Sequence, residues 1–86
     1  MEYRIEVSPY SKDHGIKLLW EDGACINCRI VNGAAEICAN QDGLISLARH
    51  LLTIAQDAAP EYSHIHLDEY NGLENGSCEL IITKKI

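Results

Sequence analysis

Residues 42–58, DGLISLARHLLTIAQDA, limit what this chain can fold into more than any other stretch. Leu44, Leu47, Ala48, Leu51, Ala55 and Ala58 recur at steps of three and four, and Ile45, Leu52 and Ile54 widen the stripe. That period predicts one amphipathic helix with a broad apolar face. Asp42 is the expected N-cap, since its carboxylate can accept the free amides of the first turn. Pro60 cannot continue the helix and turns Ala59 away from helical angles. Burying the Leu and Ile side chains of this segment contributes roughly 9–18 kcal/mol before chain entropy is subtracted. No other segment carries a comparable stripe. The remaining elements are therefore expected to pack on it, with Leu47, Leu51, Leu80 and Ile82 in the shared core.

Those remaining elements read as strands. EYRIEV (2–7) alternates apolar and charged residues, the signature of a half-buried strand. A polar connection leads to a short strand IKLLW (16–20), and Glu21-Asp22-Gly23 makes a tight turn. ACINCRIV (24–31) and AAEICA (34–39) flank Asn32-Gly33, the strongest hairpin signal in the chain. After the helix come SHIHLDEY (63–70) and CELIITKKI (78–86), separated by a loop with two Asn-Gly steps. The order ββββαββ predicts an α+β fold: an antiparallel sheet of about six strands with one helix on one face. Residues 1–86 read as a single domain without repeat or linker.

The formal charge of −6 disfavours nucleic acid or an anionic membrane as partner. No run approaches the roughly 20 apolar residues of a membrane span, and MEYRIEV lacks the apolar core of a signal peptide. A cytoplasmic protein is expected, with Cys25, Cys28, Cys38 and Cys78 as reduced thiols.

Catalytic motifs are missing: there is no G-x-S-x-G and no P-loop. Cys25 and Cys28 have the spacing of a zinc knuckle or redox pair, but residues three apart on a strand point to opposite faces, so structural cysteines are expected. His50, in mid-helix among apolar residues, reads as a boundary residue rather than a general base. Trp20 and Tyr3 read as packing residues. His64, His66 and Asp68 do fall on one strand face, a geometry zinc can use, but spacing places no fourth ligand. No cofactor or metal and no enzymatic activity are expected. A small metal-binding or enzymatic domain using these three residues is the alternative.

Charge distribution points elsewhere. Between Arg49 and Lys84 there is no Lys or Arg, while Asp57, Glu61, Asp68, Glu69, Glu74 and Glu79 all fall there. The other seven acids balance the seven bases, so the whole net charge lies in this interval. An acidic cluster with an aromatic anchor suits a basic protein partner. The expected partner-binding residues are Asp68, Glu69, Tyr70 and Glu74, flanked by His64 and His66. The other reading of this cluster is a solvated loop that keeps the protein soluble.

The second half also resembles a known family. LISLARHLLTIAQ followed by SHIHLDEYNGLENGSCELIITKKI is similar to bacterial polymorphic-toxin immunity proteins, specifically the immunity protein 32 family. His64, His66, Asp68, Gly76, Ser77, Glu79, Leu80, Ile81 and Ile82 carry the likeness. The resemblance implies a small α+β protein that neutralises a cognate toxin domain by binding it. A monomer is the expected state, with a homodimer formed through an exposed strand edge as the alternative.

Overall fold

The structure is a computed structural model, and it describes residues 1–85. Its elements run β1 (Ile26–Val31), β2 (Ala34–Ala39), α1 (Gln41–Ala55), β3 (His64–Leu67) and β4 (Leu80–Thr83). The α+β class holds. The single sheet of about six strands does not, because the strands form two separate antiparallel pairs, β1–β2 and β3–β4.

Each pair follows from local chemistry. Asn32 and Gly33 both take positive φ, 52° and 79°, in a two-residue turn whose twist matches the flanking strands. That turn fixes the register from Val31 opposite Ala34 to Ile26 opposite Ala39. In the second pair His64 faces Thr83 and Leu67 faces Leu80, so Ile65 and Leu67 point inward while His64 and His66 point out. A short seam joins the pairs. The amides of Glu74 and Cys78 donate to the carbonyls of Ile26 and Cys28, both at 2.8 Å, and the Ser77 hydroxyl accepts from the Cys28 amide.

Residues 2–7 and 16–20 are not strands. In place of a ladder, the first segment and the residues just after it are held by side chains of the helix and its C-cap. Arg49 Nε donates to the Glu6 carbonyl, Gln56 Nε2 donates to the Ser8 carbonyl, and Gln56 Oε1 accepts from the Tyr10 amide. Residues 16–20 instead lay Ile16, Leu18 and Trp20 against the core formed by Ile26, Cys28, Ile54, Ile65, Leu67 and Leu73.

The helix also differs from expectation. It ends at Ala55, and its N-cap is Asn40, not Asp42: the Asn40 side chain accepts from the Gly43 amide. Its buried residues are Gly43, Ser46, His50, Thr53 and Ile54. Leu51 is 45% exposed, Leu44 and Leu52 are exposed as well, and Leu47, Leu80 and Ile82 are only partly buried. The physical reason is close approach. A Cβ on Gly43 would lie 2.8 Å from the Cys25 carbonyl oxygen and 2.9 Å from Ile26 Cγ1. The first turn therefore rests directly on the start of β1, which fixes the small and polar stripe inward.

The buried polar groups on that stripe are mostly satisfied. Ser46 Oγ accepts from the Glu21 amide, and Thr53 Oγ1 donates to the Arg49 carbonyl. His50 is the exception. It is fully buried rather than a boundary residue, neither ring nitrogen has a hydrogen-bond partner, and Trp20 meets it edge-on with ring centroids 4.4 Å apart. Lys84 Nζ closes the other end of the helix by donating to the Gln56 and Ala59 carbonyls.

Two predictions follow from these faces. Gly43→Ala gains up to about 1 kcal/mol of helix propensity but must displace a backbone carbonyl, so a net loss of roughly 1–3 kcal/mol is expected in urea unfolding. Leu51→Ala should cost under about 1 kcal/mol; a larger loss would place Leu51 in the core.

A third prediction concerns pH. Burial first, then the Arg49 charge, lowers the His50 pKa from 6.5 to about 4. Between those values the unfolded chain binds the proton and the folded chain does not, so stability falls as pH drops through that window, by roughly 3 kcal/mol in total. His50→Leu should flatten the curve from pH 6.5 to 4, measured by urea midpoints across that range. An unchanged slope would assign it to other groups.

Candidate functional site

The outer face of β3–β4 is built from alternate residues of both strands. His64 and His66 come from β3; Ile81, opposite His66, and Thr83, opposite His64, come from β4. Glu79 stands just before β4, its carboxylate 3.5 Å from His66 Nε2, and both side chains are largely exposed. Ile81 is 56% exposed in the middle of this polar face. An apolar side chain left open among His66, Glu79 and Thr83 is the site residue missed by the sequence reading. Its signal was present, since the period of β4 puts Ile81 on the same side as Glu79 and Thr83.

The loop after β3 carries the aromatic and acidic groups. Asp68 continues the strand with bridges to Asn71 and Gly72, and its carboxylate accepts from the Tyr70 amide at 2.9 Å. The Asn71 side chain donates to the His66 carbonyl, and Glu69 Oε2 accepts from the Gly76 amide at 2.6 Å. Those bonds fix the loop backbone while Tyr70 stands 96% exposed at its tip. Gly72, at φ 94°, lies under the Trp20 ring, and an added Cβ would fall 2.3 Å from a ring carbon. Glycine there lets the loop close onto the core.

The expected site residues do not all converge. His64 and His66 share the outer face, and Asp68, Glu69 and Tyr70 share the adjoining loop. Glu74 lies apart, its amide bonded to Ile26 and its carboxylate beside the Cys25 thiol. That hydrogen bond is the main cause of the raised Cys25 pKa. Cys28 is buried on the opposite side of β1, as strand alternation requires. Burial pushes its thiol up, helped by the Cys78 sulfur 3.4 Å away. Among the described residues no three His, Cys, Asp or Glu side chains converge where a metal ion could be held. His64, His66 and Asp68 do not form a chelate, because the Asp68 carboxylate is turned to its own loop. No described helix is long and apolar enough to cross a membrane.

The described residues thus form a one-helix α+β domain with an open strand face of mixed apolar and polar side chains. The chain belongs to the family described as Immunity protein 32, whose model matches residues 35–85, from β2 to the end of the described chain. No curated protein and no solved structure matches it.

Proposed function

We propose that this chain is a non-catalytic immunity protein of the cytoplasm that neutralises a cognate toxin domain by binding it. The contact surface is the outer face of β3–β4 with the following loop, and its residues are His64, His66, Asp68, Glu69, Tyr70 and Glu74, joined by Ile81. One observation carries this reading: the two exposed anchors, Tyr70 and Ile81, stand within the interval that holds the whole net charge of −6. An aromatic anchor in a loop with Asp68 and Glu69, and an aliphatic one on the strand face that carries Glu79, suit a toxin domain of basic surface. Glu74, beside β1, extends the acidic field at the margin. The family match includes every one of these residues.

The test is co-expression with a candidate toxin domain, then binding kinetics at two salt concentrations. Asp68→Asn, Glu69→Gln and Glu74→Gln together keep the acceptors for the Tyr70 and Gly76 amides while removing three charges. The triple variant should associate more slowly and with a flatter salt dependence. Tyr70→Ala should act on dissociation, speeding it about tenfold or more. Unchanged kinetics in both variants would place the interface elsewhere.

A further inference from the structure

We propose that the free edge of β2 pairs with the same edge of a second copy, joining two chains through a four-stranded antiparallel sheet in the order β1-β2-β2-β1. This inference is independent of toxin binding. β2 is exposed from Ala34 through Cys38, and its other edge is the only one laddered to β1. The hydrogen-bonding parity of the hairpin is fixed at both ends. Asn40 donates to the Cys25 carbonyl, while the carbonyls of Ile26 and Cys28 turn away from β2 to accept from Glu74 and Cys78. By the same alternation Ala35, Ile37 and Ala39, opposite Ile30, Cys28 and Ile26, point their amides and carbonyls away from β1. Among the described residues no backbone or side-chain group bonds to them.

That edge is lightly protected: its one charged residue, Glu36, is paired with Arg29 of β1. β2 contains no Lys, Pro or bulge. It is also self-complementary. With Ile37 opposite the partner's Ile37, Ala35 and Ala39 each oppose the other on the second chain, and all outward amides and carbonyls find partners. Glu36 then faces the partner's Cys38, so no like charges meet. Ile37 and Ile30, 42% and 63% exposed, form an apolar strip that continues the core face of the hairpin but lies beyond the helix. Two such strips meet across the axis.

Charge selects the occupant. The hairpin from Ile26 to Ala39 holds only Arg29 and Glu36, bonded to each other at 2.6 Å, so it is neutral within an acidic chain. A basic partner gains nothing at this edge, whereas two identical chains meet there without opposing their acidic halves. A contact of one strand pair is smaller than a standard interface, so the dimer is expected to be weak.

The test is sedimentation velocity of the full chain under reducing conditions, with concentration raised through the micromolar range. A reversible monomer–dimer equilibrium is expected. Ile37→Lys, which sets two charges opposite each other at the axis while altering a half-exposed position, should weaken it about tenfold or more. The register is read separately with Glu36→Cys and glutathione disulfide as oxidant. The introduced thiol and the partner's Cys38 should form a disulfide, their two electrons and two protons reducing glutathione disulfide to two thiols. Peptide mapping identifies the link. A chain that stays monomeric throughout would overturn the proposal. So would a dimer that Ile37→Lys leaves intact, or the absence of a link between the introduced thiol and Cys38.

Discussion

The fold depends on the contact between the first turn of α1 and the start of β1, and Asn40 holds that contact. Its side-chain oxygen accepts from the Gly43 and Cys25 amides at 2.8 and 3.0 Å, its side-chain nitrogen donates to the Gly23 carbonyl, and its own amide donates to the Cys25 carbonyl. One carboxamide therefore caps the helix, ties β1 to the preceding turn and sets the corner after β2. Gly43 completes the arrangement, because only a residue without a Cβ leaves room for the strand backbone. Once this end is seated, the rotation of the helix is no longer free. Ser46, His50 and Thr53 follow Gly43 inward at steps of three and four.

The other layers follow from that rotation. The face carrying Leu44, Ile45 and Ala48 is turned toward the N-terminal segment, where Met1, Tyr3 and Ile5 complete an apolar groove of about 580 Å³. Arg49 ties that segment down through the Glu6 carbonyl and an ion pair with Glu21 at 2.8 Å. At the far end, Lys84 bonds the carbonyls of Gln56, the C-cap, and of Ala59 just beyond it, and so connects the end of the helix to β4. Both ends of β4 are thereby fixed: one by Lys84, the other by the seam between Cys28 and Cys78. A rigid strand pair under an exposed face is the scaffold on which recognition residues are usually presented.

Much of this was legible in the residues. Asn32-Gly33 located the hairpin because both residues tolerate the positive φ that this two-residue turn takes at its two positions. Alternation in HIHL gave the inward Ile65 and Leu67 and the outward histidines. The helix was legible as a helix, but its inner face was not. A stripe of Leu and Ile outweighs Gly, Ser and Thr when hydrophobicity alone is counted, yet close backbone approach favours the smaller residues. EYRIEV misled for a different reason: alternation marks an extended chain, and this one is held by Arg49 at the Glu6 carbonyl and by Gln56 at the following Ser8 and Tyr10 rather than by a neighbouring strand. In the candidate site the acidic loop and Tyr70 were visible. Ile81 was hidden among apolar neighbours of which only Leu80 and Ile82 face inward, and the separation of Glu74 from the loop depends on the seam with β1.

In the proposed function the outer face of β3–β4 and its loop grip a toxin domain. Amide hydrogen exchange of the chain alone and bound to that domain tests it most directly. The account predicts new protection concentrated in residues 64–81, strongest around Tyr70 and Ile81. Protection that appears only in residues 1–20 or along the exposed side of α1, with 64–81 unchanged, would contradict it.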